Sequence, residues 1–362
     1  MLLYLSMVAI VPVLYAVFYE KEYRDDMILA VVCSMMLLLL ALRKPFSDVV
    51  SYQASYNSLK GVSFGEMLKA FHLIKTSNIG GMEWGYCFIC WVFVTLGLPF
   101  QVFLAAESAF CVFCVYNFVR KNSVNIPLSI ALIVGFGAFD YMYIVIRQSM
   151  AFGFLLLSVE SIKKRNLPVF ILFVLAAIMM HRTAALFLIA YPLSYLPITR
   201  LNITVFSCAS LMIFPLYPLL EKSIIRRSMV LFSKNLYMVD STFEFCELIL
   251  LIVLITVVLM VFSDFSKKAE VKKRIVFWTF MISLPVQILA CYLPIMGRVS
   301  TLMYLPFASV AIPNLLETNE NRKLVQVLEG LIFLAAFAYY SFCLYYDKRI
   351  LEIVPYELFF IN

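Results

Sequence analysis

The sequence predicts an all-α fold, a polytopic integral membrane helical bundle that takes up residues 1–362 as one membrane domain. Three observations predict it. Apolar residues make up 64% of the chain and charged residues only 14%, against roughly 25% charged in soluble domains. Apolar runs near the length that crosses a bilayer, about 20 residues, recur from end to end. No polar stretch is long enough to build a separate soluble domain.

The first two runs, 2–19 and 27–42, are joined by a short charged link. The N-terminal stretch lacks a basic n-region and a cleavage site, so it reads as an uncleaved first span. The longest polar segment, 43–84, holds Asp48, Tyr52 and Tyr56, an amphipathic helix near 64–75, and a turn at Asn78-Ile79-Gly80-Gly81. Runs follow at 85–98, 101–119, 126–143, 146–162, 167–180, 183–197 and 201–219. A second polar loop, 221–245, precedes runs at 247–263, 275–293, 299–313 and 324–346, and the tail carries Pro355-Tyr356.

Topology follows by parity. The basic turns 163–165 and 267–274 belong inside by the positive-inside rule. Run 85–98 is short and ends at Pro99, so it reads as a re-entrant segment. The remaining runs give about 12 crossings, both termini outside, and 43–84 and 221–245 as external loops. Arg147, His181 and Arg298 then share the outer face.

Composition also limits the chemistry. The net charge of +7 is modest, and basic residues in the loops suit anionic lipid rather than nucleic acid. Among nine cysteines, Cys87-x-x-Cys90 and Cys111-x-x-Cys114 have the spacing of a zinc ribbon. Both pairs lie in apolar runs and read as packing side chains, so no metal site is expected. With no D-x-D, H-E-x-x-H or G-x-x-x-x-G-K pattern, no ATP and no other cofactor is expected either.

The polar residues inside this apolar background are the candidates for function. Arg147-Gln148 interrupts an apolar stretch, where a mid-membrane charge costs about 2.5–3.5 kcal/mol. The plain reading is a snorkelling interfacial arginine. The sharper one is a phosphate ligand, because guanidinium is always charged and forks onto two oxygens. Two apolar runs around the turn Lys163-Lys164-Arg165 take the chain away and return it, so His181 comes back to the face of Arg147. An imidazole there titrates near neutrality and suits a general base. His72, the other of the two histidines, reads as structural. Arg298 follows Gly297 at the junction of two runs, and Arg43 caps the second run. With Arg147 these cations could converge on one pyrophosphate; interfacial anchoring is the alternative for each. Asp48 and Glu83 flank the outer loop. Glu83 sits at the mouth of 85–98, where burial would raise its pKa and fit it for general base work.

In this order the residues resemble the EpsG family of multi-pass membrane proteins, grouped with Wzy-type polysaccharide polymerases. The resemblance runs through Arg43, Asp48 and Tyr52, then Glu83-Trp84-Gly85-Tyr86, then Arg147-Gln148 with Ala151. It continues through His181-Arg182-Thr183-Ala184-Ala185-Leu186, Arg298 and Pro355-Tyr356. The chain departs from the family pattern at Phe46-Ser47, usually Gly-Thr, and at Trp84, usually Pro. The resemblance implies a polymerase of surface polysaccharide, of the capsule, exopolysaccharide or O-antigen class, in the bacterial cytoplasmic membrane. It would move a growing glycan from undecaprenyl pyrophosphate to a lipid-linked repeat unit at the outer face. Implied partners are the undecaprenyl-pyrophosphate-linked oligosaccharide, membrane lipid, a chain-length regulator and a flippase. On that reading Arg147 and Arg298, joined by Arg43, hold the pyrophosphate and Gln148 binds substrate beside them; Asp48 or Glu83 orients or deprotonates the acceptor hydroxyl, with His181 as the runner-up base; and Tyr52 and Tyr86 stack on sugars. A lipid-linked oligosaccharide flippase and a single-group membrane transferase are the competing readings. A deletion strain separates them: loss of a polymerase leaves single repeat units on the carrier, loss of a flippase leaves them on the cytoplasmic side, and loss of a transferase leaves a truncated unit.

Overall fold

The computed structural model describes residues 1–72, 82–220, 271–293, 295–346 and 353–360. The loop 221–245, the run 247–263 and the turn Asn78-Ile79-Gly80-Gly81 lie outside these residues. The first half comprises α1 (Leu2–Val17), α2 (Arg24–Ala41), α3 (Asp48–Ser58), α4 (Phe64–His72), α5 (Trp84–Thr95), α6 (Phe100–Asn122), α7 (Ile126–Gly135), α8 (Ala138–Ile144), α9 (Ile146–Lys163) and α10 (Leu167–Met180). A 3-10 helix, Arg182–Ile189, then leads into α11 (Ala190–Leu193), α12 (Arg200–Leu211), α13 (Ile213–Leu220), α14 (Val271–Met281), α15 (Ser283–Ala290) and α16 (Ile295–Val299). A π-helical turn, Ser300–Tyr304, and a 3-10 turn, Leu305–Phe307, connect to α17 (Ala308–Leu316) and α18 (Arg322–Tyr346). Among the described residues the only strand-like pairing is an isolated bridge between Arg43 and Leu358.

The chain is a multi-pass helical membrane protein. Among the described residues, five helical stretches are long and apolar enough to cross a membrane: Phe100–Asn122, Arg200–Leu219, Lys273–Ala290, Met296–Leu316 and Arg322–Tyr345. The pair α7 and α8, bent by 52°, makes a sixth if counted as one span. The bend falls at Gly137, whose φ of 83° lies in the left-handed region that a side chain disfavours. Length and composition among the described residues therefore do not reach the expected 12 or so crossings; α2 and α9 have 18 residues each but carry charges.

The helices sort into two ends. At one, Gln101 Nε2 donates to Ala41 O (2.6 Å), Tyr56 Oη to Leu98 O (2.8 Å), Tyr4 Oη to Ile353 O (2.6 Å), and Phe359 N–H to Leu42 O (3.1 Å). At the other, Asp26 pairs with Arg120 (2.9 Å), Val124 N–H donates to Asn314 Oδ1 (2.9 Å), and Asn125 Nδ2 donates to Glu329 Oε1 (2.8 Å).

The hairpin of α9 and α10 spans these ends. Its turn closes as a Schellman motif: Asn166 N–H donates to Ser161 O and Arg165 N–H to Ile162 O, with Arg165 at a φ of 54°. Asn166 then caps α10 by accepting from Val169 N–H, and Pro168 fits the first turn, where its missing N–H costs nothing. After His181 the chain returns as a 3-10 helix. Fourteen α-helical residues of α10 rise about 21 Å. The next 12 residues cover a similar height, about 22 Å, because eight of them are wound at about 2.0 Å each. Arg165 meets the end of this returning helical segment, with Nη1 donating to Ser194 Oγ at 2.5 Å and the guanidinium 3.9 Å from the Tyr195 ring centre.

Helix α5 has 12 residues and rises about 18 Å, short of a hydrocarbon core of about 30 Å. Tyr86 near its start and Phe93 near its end both pack on Phe103, one turn into α6. It thus begins and ends at the same end of α6.

Candidate functional site

Helix α3 organises the polar end of the bundle. Asp48 opens it, where a carboxylate complements the helix dipole. Tyr52 follows one turn later, on the same face. Arg298 Nη1 lies 3.0 Å from Asp48 Oδ2. Arg147 Nε donates to Tyr52 Oη at 3.5 Å, and its guanidinium sits 5.4 Å from the Tyr52 ring centre. Two arginines from α9 and α16 are thereby set against adjacent turns of one short helix, at positions whose Cβ atoms are about 5–6 Å apart.

Glu83 joins the next elements to this pair. It stands at the N-cap position of α5, but its side chain makes no cap. Instead Arg147 Nη1 approaches Oε2 at 2.6 Å, and Arg182 N–H donates to Oε1 at 3.2 Å. His181 Nδ1 is 3.4 Å from the same Oε1 and faces it. Gly85 permits this approach. A Cβ there would stand 2.7 Å from Met179 Cβ and 2.9 Å from Met179 O, on the last turn of α10. Only a bare Cα lets α5 start against the residues that lead into His181.

Glu83 and His181 both lie between helices rather than within the spans. Burial would raise the Glu83 carboxyl, as the sequence suggests, but the His181 imidazole, the Arg147 charge and the Arg182 amide together outweigh it. They hold the pKa down at about 2. The expectation of a raised carboxyl is therefore corrected: Glu83 is ionised at neutral pH. For His181 burial wins over the attraction of Glu83, with Arg147 and Arg182 adding to it, and its pKa falls below 6.5. The imidazole is neutral at pH 7.

The structure thus brings Asp48, Tyr52, Glu83, Arg147, His181 and Arg298 together. Tyr86 supports them from behind, buried, with its ring 5.8 Å from that of Tyr52. Gln148 is buried beside Arg147, and its Oε1 has no hydrogen-bond partner among the described residues. Arg43 is not in this group. It is fully buried and turned toward α6: Nη1 donates to Leu40 O and reaches Ser108 Oγ at 3.4 Å, and Nη2 lies 4.0 Å from Glu107 Oε2. Its guanidinium also sits 5.1 Å from the Tyr143 ring centre.

Glu107 is the residue that sequence reasoning missed. It lies within the apolar run 101–119, one turn before Cys111, whose thiol donates to Glu107 Oε1 at 3.2 Å. A lone acid in a long apolar run is itself the signal, since such a charge needs a buried partner. No cluster of three or more metal-binding side chains occurs among the described residues. The side chain of His72 is not among them. A cleft at the opposite end is lined by Arg24, Asp25, Asn125, Glu317, Arg322 and Glu329 with apolar neighbours. None of the candidate residues reaches it, and Arg24 there already pairs with Asp25.

The order of these residues along the chain can now be compared with known proteins. The EpsG family matches residues 26–358. The chain belongs to the EpsG family. EpsG proteins are Wzy-type polymerase-like, so the site described above sits in a multi-pass membrane protein of polysaccharide biosynthesis with a glycosyltransferase-like polymerase character. No curated protein and no solved structure matches the chain.

Proposed function

We propose that this EpsG protein polymerises a surface polysaccharide of the capsule, exopolysaccharide or O-antigen class at the outer face of the bacterial cytoplasmic membrane. The substrate is an undecaprenyl-pyrophosphate-linked oligosaccharide, delivered by a flippase and limited by a chain-length regulator. The observation that carries this reading is the pair of arginines, Arg147 and Arg298, set one helical turn apart over α3 beside a neutral His181. A diphosphate offers two anionic phosphates, and guanidinium groups stabilise it as it leaves.

In the reaction the bond between the anomeric carbon and the pyrophosphate oxygen breaks, and a glycosidic bond forms to a hydroxyl of the acceptor unit. Arg147 and Arg298 hold the departing pyrophosphate. The hydroxyl proton passes to Nε2 of His181, because Nδ1 faces Glu83. Glu83, ionised and shared, orients both His181 and Arg147 instead of taking the proton. Tyr52 and Tyr86 back the guanidinium of Arg147, and Gln148 offers its carboxamide next to it. The energy resides in the glycosyl pyrophosphate, so ATP has no part. Twelve crossings, with α5 as the re-entrant segment and 43–84 and 221–245 as external loops, put this end of the bundle outside.

The test is reconstitution in lipid with lipid-pyrophosphate-linked repeat units alone. A ladder of products that disappears in Arg147→Ala is the expected result. Transbilayer movement of the same substrate without a ladder would replace the polymerase with a flippase.

A further inference from the structure

The two arginines of the site are held differently. Arg147 is bound to Glu83, whose side chain is only 8% exposed and which also takes contacts from His181 and the Arg182 amide. Arg298 is bound to Asp48, whose side chain is 43% exposed, through Nη1 and Oδ2 at 3.0 Å; Arg298 itself is 29% exposed. Exposed ion pairs in water-accessible positions contribute little and exchange partners readily, whereas a buried carboxylate with several partners does not. The phosphate oxygens of a diphosphate carry more charge than one carboxylate and can accept both arms of a guanidinium. They would compete with Asp48 for Arg298 at a small cost, and with Glu83 for Arg147 at a large one.

We propose that Asp48 is a counter-ion latch on Arg298: it occupies the guanidinium while the site is empty and is displaced by the pyrophosphate of the substrate, whereas Arg147 keeps its carboxylate throughout. Asp48 is then a specificity-setting competitor. Only a ligand with enough charge to displace it gains Arg298, and a mono-anionic or neutral glycolipid does not. The latch also couples binding to α3. Asp48 is the first residue of that helix, and Tyr52 one turn on touches Arg147, so release of Asp48 frees the helix start that lies over both arginines. The identity of the anion rests on the polymerase reading above.

The experiment is a double-mutant cycle on purified protein in lipid nanodiscs, with inorganic pyrophosphate as the probe and calorimetric titration as the readout. Asp48→Asn removes the competing charge and should tighten pyrophosphate binding about two- to fivefold, the range open to an exposed pair. Arg298→Gln should weaken binding, and Asp48→Asn should give no gain in the Arg298→Gln background. Arg298→Met, which also removes the charge, serves the same purpose where Arg298→Gln lowers the protein level. In ladder assays Asp48→Asn should still polymerise, with a lower KM for the lipid-linked substrate. A gain that persists in the Arg298→Gln background would show that Asp48 acts only as a distant charge and would overturn the latch. So would unmoved pyrophosphate affinity with loss of the ladder in Asp48→Asn, since Asp48 would then act in the chemistry. Absence of a ladder from the unaltered protein, with the pyrophosphate cycle as expected, would remove the polymerase reading and leave the latch standing.

Discussion

Arg147 and His181 approach opposite oxygens of one carboxylate: Arg147 Nη1 stands 2.6 Å from Glu83 Oε2, and His181 Nδ1 stands 3.4 Å from Glu83 Oε1. The hairpin of α9 and α10 returns the chain to the level it left, and the start of α5 is wedged between the two ends. A cation, a neutral imidazole and an ionised acid are thereby fixed relative to one another by three separate helices.

Loss of either charge alone should harm folding as well as chemistry. Arg147→Ala leaves Glu83 as an unpaired buried charge, and breaking such a pair costs about 3–5 kcal/mol. The double variant Arg147→Gln with Glu83→Gln removes both charges and should recover most of the thermal stability in detergent while making no polymer. Polymer from the double variant would show that the pair is structural only.

The pH profile should report His181. Its pKa lies below 6.5, so a base at this position is ready at pH 7, and the initial rate should fall only as pH drops through that lowered value. Glu83 favours the imidazolium, while Arg147 and Arg182 oppose it. Glu83→Gln should therefore move the acid limb to still lower pH as well as reduce the rate. An acid limb that stays in place would exclude His181 as its source.

Glu83 should also be visible in acid unfolding. Its folded pKa of about 2 lies below the ordinary 4.5, so its contribution is complete above pH 4.5 and is lost as pH falls through about 2. Thermal unfolding of the unaltered protein and of Glu83→Gln should converge over that window. Parallel curves would mean that another carboxylate governs the transition.

Gly85→Ala tests the close approach of α5 to α10. The added methyl meets the backbone oxygen of Met179 at 2.9 Å, so α5 must move away from His181. Displacements of this size near a reacting centre cost roughly 10- to 100-fold in rate. Alanine favours the helix by up to about 1 kcal/mol, so thermal stability should change little while activity collapses. Equal losses of both would point to misfolding.

Arg43 and Glu107 should behave as a structural pair. Glu107→Ala strands a fully buried guanidinium and should lower stability by about 3–5 kcal/mol, whereas Arg43→Met with Glu107→Leu should restore it. Detergent unfolding curves of the three proteins decide this.

Much of this arrangement could be read before the structure. Hydropathy marks most helices, and the even return around Lys163-Lys164-Arg165 puts Arg147 and His181 at one level. The partners of these residues could not be read so well. Glu83 and Arg147 are 64 positions apart, and Asp48 and Arg298 are 250 apart; no local pattern encodes such pairings. Arg43 looks from sequence like its fellow cations, and only the burial of Glu107 shows why it faces elsewhere. The sign of the Glu83 shift was hidden for the same reason, because burial alone raises a carboxyl and only neighbours from other helices lower it. The 3-10 winding after His181 has no marker in a run that reads simply as apolar.

The shortness of that hairpin also concerns the bilayer itself. Helix α10 and the returning segment each rise about 21–22 Å, against a hydrocarbon core of about 30 Å. Leu172, Leu175, Leu188 and Ile189 on these segments are exposed and apolar, so acyl chains must meet them there. Hydrophobic mismatch of this size is relieved by local thinning of the membrane. On the function proposed above, such thinning beside His181 would bring the phosphates of a lipid-linked substrate down to the level of the arginines.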